Sequence, residues 1–200
     1  GLPILAWVIE HPEGTILVDT GETARTAEPG YFPQWQLFFR LSVRMHVGND
    51  DGIGSQLRTR GLDPEKIGRV VLTHLHTDHT GGIVDLPNAE FITTRKEIRA
   101  ANMPLATLNG IMSKYFPSWF APTVIEFNDG PVGPFPESHR LTDDGAVTIV
   151  PTPGHTAGHC SVIVRLPDGP VLFLAGDASD TQDAMLGLHV DGVSKFASVT

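Results

Sequence analysis

The stretch RVVLTHLHTDHTGG, residues 69–82, runs an apolar, β-branched segment straight into three histidines and an aspartate within six positions. A fold that accepts it must bury a strand and let that strand end in a polar cluster. Zinc is held by imidazole nitrogens and carboxylate oxygens, and this cluster supplies both. His74 and His76, two apart on an extended segment, point to the same side and can reach one ion. Asp78 and His79 follow where the chain bends at Thr80-Gly81-Gly82, in reach of a second ion. A single histidine at such a place is more simply a cap or a solvent-facing group. Four ligand-type residues at one strand end have no such simple explanation.

Two later segments repeat the pattern of a strand ending in a ligand. TPGHTAGH (152–159) presents His155 at a Pro-Gly turn, as the third imidazole for the first ion. His159, four residues on, reads as a supporting or packing residue. LAGDAS (174–179) delivers Asp177 to the end of an apolar strand, where it can bridge two metals. Two cations a few ångströms apart are the arrangement that clamps a hydroxide for hydrolysis. The remaining histidines (His11, His46, His139 and His189) read as surface or supporting groups. Cys160 reads as a small buried core residue.

The rest of the chain frames these motifs. ILAWVI (4–9) and TILVDT (15–20) form a hairpin across HPEG, and an aromatic cluster at 31–39 makes a core helix or a pocket wall. GIGSQLRTRG (52–61) is helical and stops at a glycine, and Asp63-Pro64 caps a further short helix. AEFITT (89–94) is a strand leading into the helix RKEIRAA (95–101). Residues 103–136 read as a long shaped loop. VTIVPTPG (147–154) is a strand, and CSVIVRLPDGPVLFLAGD (160–177) is a hairpin. Strands before and after a middle section suit two packed sheets with helices outside, in one domain spanning 1–200. A net charge of −9, from 14 basic and 23 acidic residues, disfavours a nucleic-acid partner because the basic residues form no stripe. No apolar run is long enough for a membrane span. One cysteine and no leader-like opening fit the cytoplasm. The partner is then a small molecule, and a homo-oligomer is compatible with the reading.

The opening hairpin ending in LVDTG (17–21), THLHTDHTGG, TPGHTAGH and AGDAS, in that order, resemble the metallo-β-lactamase superfamily. The resemblance implies a four-layered αββα sandwich (α/β, α+β) with metals at the edge where the sheets meet. Carried over by position, it gives His74, His76 and His155 to one zinc, and Asp78 and His79 to a second, with Asp177 bridging. YFPQWQLFFRLSVR (31–44) and HPEGTILVDTG (11–21) look most like the branch containing N-acyl homoserine lactonases. Two positions depart from that branch. Its members supply a further histidine ligand well beyond the GDAS aspartate, where this chain offers only His189. The chain therefore looks like a domain lacking its last helix-strand unit. They also carry a tyrosine where this chain has Asp180.

The implied chemistry is hydrolysis with two zinc ions. A shared water is acidified, hydroxide attacks a carbonyl carbon, and a lactone ring opens, as in a quorum-quenching lactonase. Asp78 can orient the hydroxide and pass a proton to the leaving alkoxide. The aromatic segment at 31–39 and MSKYFPSWF (112–120) can wall a groove for an acyl chain. The alternatives are the same hydrolysis on another ester or thioester, or an inactive metal-binding fragment.

Overall fold

Period-two alternation along very short strands divides the apolar residues of this protein between two cores. The computed structural model describes residues 3–36, 43–167 and 169–179. Its first sheet has the order β1 (Trp7–Ile9), β2 (Ile16–Val18), β3 (Arg69–Val71), β4 (Glu90–Thr94) and β5 (Thr123–Ile125). The β1–β2 pair is an antiparallel hairpin, and every later pair is parallel. A second, antiparallel sheet runs β6 (His139–Arg140), β7 (Val147–Pro151), β8 (Cys160–Arg165) and β9 (Val171–Leu174). Helices α1 (Ile53–Thr59), α2 (Thr77–Thr80) and α3 (Arg95–Ala101) and several short 3-10 turns complete the described chain.

Ile16, Val18, Val71 and Ile92 meet Ile149, Cys160, Val162 and Leu174 between the sheets. Their neighbours Leu17, Val70, Leu72 and Phe91 pack with Ile53, Leu57, Ile83 and Leu86 of the helical layer. A strand buried on both faces reads as a continuous apolar run, which is why RVVLT shows no alternation of polarity. The two packed sheets match the sandwich that the resemblance implies. Among the described residues its helices lie on the first sheet, and the segment after Ser179 is outside the described set.

Local chemistry explains the element boundaries. α1 ends as Gly61 adopts φ +77° and Leu62 N–H bonds Leu57 C=O at 3.0 Å, a left-handed exit that glycine permits. Asp63 caps the 3-10 turn Pro64–Lys66 by accepting from Glu65 N–H at 3.1 Å. The aromatic segment forms no helix over its described part, 31–36, and the remainder of 31–39 is outside the described residues. The long loop expected over 103–136 contains β5, which pairs in parallel with β4. Three residues, TVI, are too few to show periodicity, so only the neighbouring strand defines them. His139 sits on the two-residue strand β6, which is likewise too short to show a period.

Topology then gathers the chain's functional segments at one edge. Parallel strands share a direction, so the chain leaves β2, β3 and β4 at the same end of the sheet. Asp19 and Thr73-His74 follow two of those exits, and Thr94 ends β4. Cys160 N–H donates to Thr73 C=O at 2.9 Å and joins the start of β8 to the same edge. The inter-sheet core fixes this junction. Ile149, fully buried between the sheets, should lose about 2–5 kcal/mol of stability as Ile149→Ala. Val171→Ala, at a position 61% exposed, should stay within about 0.5 kcal/mol. Urea unfolding of both variants checks the contrast.

Candidate metal centre

β3 ends at Val71, and the next residues enter a fully buried turn: Thr73 and His74 are both 0% exposed. α2 then starts with His76 as its N-cap, which leaves its backbone extended and directs the chain across the sheet edge. One ligand atom each from His74, His76 and His155 lie within 4.8 Å of one another, as do one each from His74, His79 and Asp177. His74 belongs to both groups. His76 Nδ1 faces His155 Nε2 at 2.9 Å, and Asp177 places its carboxylate oxygens 3.3 Å from His79 Nε2 and 3.5 Å from His155 Nε2. Asp78, partly exposed on α2, has Oδ2 at 3.9 Å from His79 Nε2 and lies beside the two groups rather than within either.

Hydrogen bonds set which nitrogen of each ring faces the centre. His74 Nδ1 bonds Thr73 Oγ1 at 3.1 Å, and that hydroxyl donates to Asp19 at 2.9 Å. The chain of donors therefore leaves His74 Nε2 as a lone pair. That atom is buried and has no hydrogen-bond partner. An orphaned buried nitrogen is costly by itself and is what a metal ion satisfies. His79 Nδ1 donates to Asp19 Oδ2 at 2.8 Å, leaving its Nε2 toward Asp177. A carboxylate behind an imidazole is the usual way a metal-binding histidine is oriented. The residues present fit a divalent cation.

Burial and mutual repulsion keep two of these rings neutral. His74 is pushed well below the ordinary histidine range, first by burial and then by its histidine neighbours. Burial and the adjacent His155 take His76 down to about 3. Neutral imidazoles are the form that binds metal. For His79 burial pulls down, but the Asp19 and Asp177 carboxylates together raise its affinity for a proton. Burial would raise Asp177, but His79, His155 and His159 hold it down at about 2, ionised and ready to ligate.

Three supporting residues carry the arrangement. Asp19 was visible in LVDTG only as part of a motif, yet it accepts from Thr73 N–H, Thr73 Oγ1 and His79 Nδ1 at once. It does so from a left-handed backbone, φ +60°, which aspartate tolerates better than most residues. Its signal in the sequence is an acidic residue directly following the buried run ILV. His159 is 1% exposed, accepts from Asp177 N–H at 3.0 Å and bonds Thr152 Oγ1 at 2.8 Å, so both its nitrogens are engaged. Glu97, on α3, is 1% exposed and accepts from Leu75 N–H at 3.0 Å. His11 bonds Asp144 at 3.1 Å and His139 lies 3.2 Å from Glu126 C=O. Asp180 and His189 are outside the described residues.

The two aromatic segments meet beside α2. Tyr31 stacks on Tyr115 at 4.4 Å, and Tyr115 OH donates to Tyr31 C=O at 2.8 Å. With Thr77, the chain neighbour of Asp78, and Val84, Met112 and Phe116 they line a cleft. Beneath it Glu22, 3% exposed, accepts from Thr23 N–H at 2.9 Å, while its Oε2 has no partner. Gly81 lets this loop approach: a Cβ there would lie 2.6 Å from Glu22 Oε1 and 2.7 Å from Thr23 N.

The fold and these ligand groups are those of a metal-dependent hydrolase. The chain belongs to the metallo-beta-lactamase superfamily, whose profile matches residues 1–183. It is 32% identical over 188 residues to the N-acyl homoserine lactonase AttM of Azorhizobium caulinodans, covering 91% of this chain and 67% of that protein. The N-acyl homoserine lactonase of Bacillus cereus is 28% identical over 193 residues, with 91% and 66% covered. Among solved structures, a B. thuringiensis AiiA mutant with N-decanoyl-L-homoserine bound at the active site superposes with a TM-score of 0.75 at 27% identity. An N-acyl homoserine lactone hydrolase with the product N-hexanoyl-L-homoserine at its catalytic metal centre gives 0.75 at 26%. Both structures match 92% of this chain and 66% of their own. The chain thus spans about two thirds of the length of these relatives.

Two outcomes follow from the geometry. Asp19→Asn replaces an acceptor oxygen with an amide that has to face Thr73 or His79. Divalent-metal affinity at the His74–His79–Asp177 group should fall roughly 10- to 100-fold, read by chelator competition. Glu22 is lifted by burial from its ordinary 4.5 to about 7. Its folded form keeps a proton that the unfolded chain releases, so Glu22 destabilises the fold as pH rises from about 4.5 through 7. In metal-free protein, Glu22→Gln should therefore raise the Tm more at pH 8 than at pH 5.

Proposed function

We propose that this protein opens the lactone ring of an N-acyl homoserine lactone by hydrolysis with two bound zinc ions. The observation that carries the reading is the pair of ligand groups meeting at His74, with Asp78 and an aromatic cleft beside them. The two lactonase structures that hold an acyl homoserine support the substrate class. On this reading His74, His76 and His155 hold the first ion. Asp78 and His79 would hold the second, and Asp177, within reach of His79 and His155, would serve both. When bound, the ions supply Lewis acidity, acidifying water and polarising a carbonyl oxygen.

The chain's own residues then have distinct tasks. Neutral His74 and His76 offer lone pairs, while Thr73 and Asp19 fix the ring tautomers through His74 and His79. Tyr115 and Phe116, half-buried on the cleft wall, offer apolar surface for an acyl chain, which excludes water from one side of the site. Water adds its oxygen to the carbonyl carbon, and the ring C–O bond breaks. Asp78 carries the water's proton to the departing ring oxygen, and the product is the open N-acyl homoserine. Its place in the first turn of α2, next to Thr77 on the cleft wall, suits that transfer.

A panel of acyl homoserine lactones, aryl esters and thioesters, run with zinc-loaded protein, tests the substrate. The lactones should have the highest kcat/KM. A preference for thioesters would replace the substrate assignment and leave the metal reading intact. His76→Ala should abolish turnover together with the rise in Tm on adding zinc, because bound metal stabilises the folded state. Wild-type turnover in that variant, at unchanged metal content, would remove the cluster from the mechanism.

A further inference from the structure

The two histidine loops come from different sheets, one following β3 and the other joining β7 to β8, yet their imidazoles meet at 2.9 Å. A side chain on a third element joins them. α3 begins directly after β4, with Thr94 as its N-cap accepting from Glu97 N–H at 3.4 Å. Glu97 turns inward and is 1% exposed. A buried carboxylate is costly unless hydrogen-bonded. The donors that satisfy this one all sit on the two loops. Oε2 accepts from Leu75 N–H at 3.0 Å, and Oε1 accepts from Gly158 N–H at 3.0 Å and from Thr156 Oγ1 at 2.6 Å. Leu75 lies between His74 and His76, and Thr156 follows His155.

The approach is as close as backbone allows. A Cβ on Gly158 would stand 2.5 Å from Thr94 Oγ1, 2.6 Å from Glu97 Oε1 and 2.8 Å from Glu97 N. Thr94 Oγ1 also donates to Gly158 C=O at 2.8 Å, so the loop is held from both of that residue's polar groups. We propose that Glu97 is the positioning residue of the His74–His76–His155 group. Its one carboxylate fixes the spacing between the two loops and so pre-forms the first metal site. The proposal rests on reading that group as metal-binding. Glu97 itself touches neither metal nor substrate.

Glu97→Gln tests it, because an amide has one acceptor oxygen where three donors converge on two, and its NH₂ has to oppose at least one of them. The probe is Co²⁺, followed by chelator competition for affinity and by the visible d–d band for geometry, beside the Tm of metal-free protein. Affinity should fall roughly 10- to 100-fold with an altered d–d band, as when groups behind metal ligands are removed. Thr156→Val, which deletes one donor, should show a smaller loss in the same direction and carries the test if Glu97→Gln does not fold. Leu57→Ala, in the helical-layer core, should lower the Tm while leaving Co²⁺ affinity and spectrum unchanged. Wild-type affinity and spectrum in Glu97→Gln, or in Thr156→Val where it stands alone, would overturn the proposal. So would an equal loss of affinity in Leu57→Ala, which would trace the effect to stability alone. A parent protein that takes up no Co²⁺ would remove the metal reading itself, and the clamp with it.

Discussion

The candidate metal centre depends on a buried carboxylate that is hydrogen-bonded on both oxygens. Asp19 sits where β2 ends, 3% exposed, and binds the Thr73 backbone and hydroxyl with one side and His79 with the other. Ionised groups are expensive to bury, so its three contacts are needed for the fold as much as for the site. Through Thr73 it also sets the tautomer of His74. One side chain thereby orients a ring in each of the two ligand groups. The parallel pairing of β2 with β3 makes this possible, since it puts Asp19 and Thr73 side by side at the same sheet edge.

Crowding five imidazoles into one pocket carries an electrostatic cost that the fold meets by keeping several of them neutral. Burial opposes charge on His74, His76 and His159; neighbouring histidines oppose it further, although Asp19 favours charge at His159. The exception is His79, where two carboxylates overcome burial. This separation of roles leaves lone pairs for a cation on one side of the cluster and a strongly acidic Asp177 on the other. A pocket of this kind is poorly satisfied without a cation, as the unpartnered His74 Nε2 records. A cation bound there would couple metal affinity to fold stability.

Rigidity around the site comes from backbone contact rather than from apolar bulk. Gly82 lies where a Cβ would meet Ile53 at 2.3 Å and Thr20 C=O at 2.6 Å, and Gly158 is equally close to α3. Neither glycine is required for a left-handed turn, since neither has a positive φ. Each is required because two backbone segments pass within van der Waals contact. The loops can therefore be short and still hold ligand atoms at fixed separations, which is the condition for a preorganised site.

The motifs around His74, His76, Asp78, His79, His155 and Asp177 could be read as ligand sets from residue type and spacing, because each follows an apolar strand segment that has few other reasons to end in such groups. The two-sheet architecture was equally legible from the order of strands. The short strands β5 and β6 were not, since two or three residues carry no period, and the supporting acids Asp19 and Glu97 looked like ordinary turn and helix residues. The sequence by itself determined which ligand-type residues stand at the ends of apolar strands. Only the tertiary structure decided that His74 is shared between two groups, that Asp78 lies beside rather than within them, and that Glu97 ties both loops together. Those facts depend on distances between segments far apart in the chain. Such distances are set by sheet register and by glycines that admit close backbone contact, and local residue pattern encodes neither.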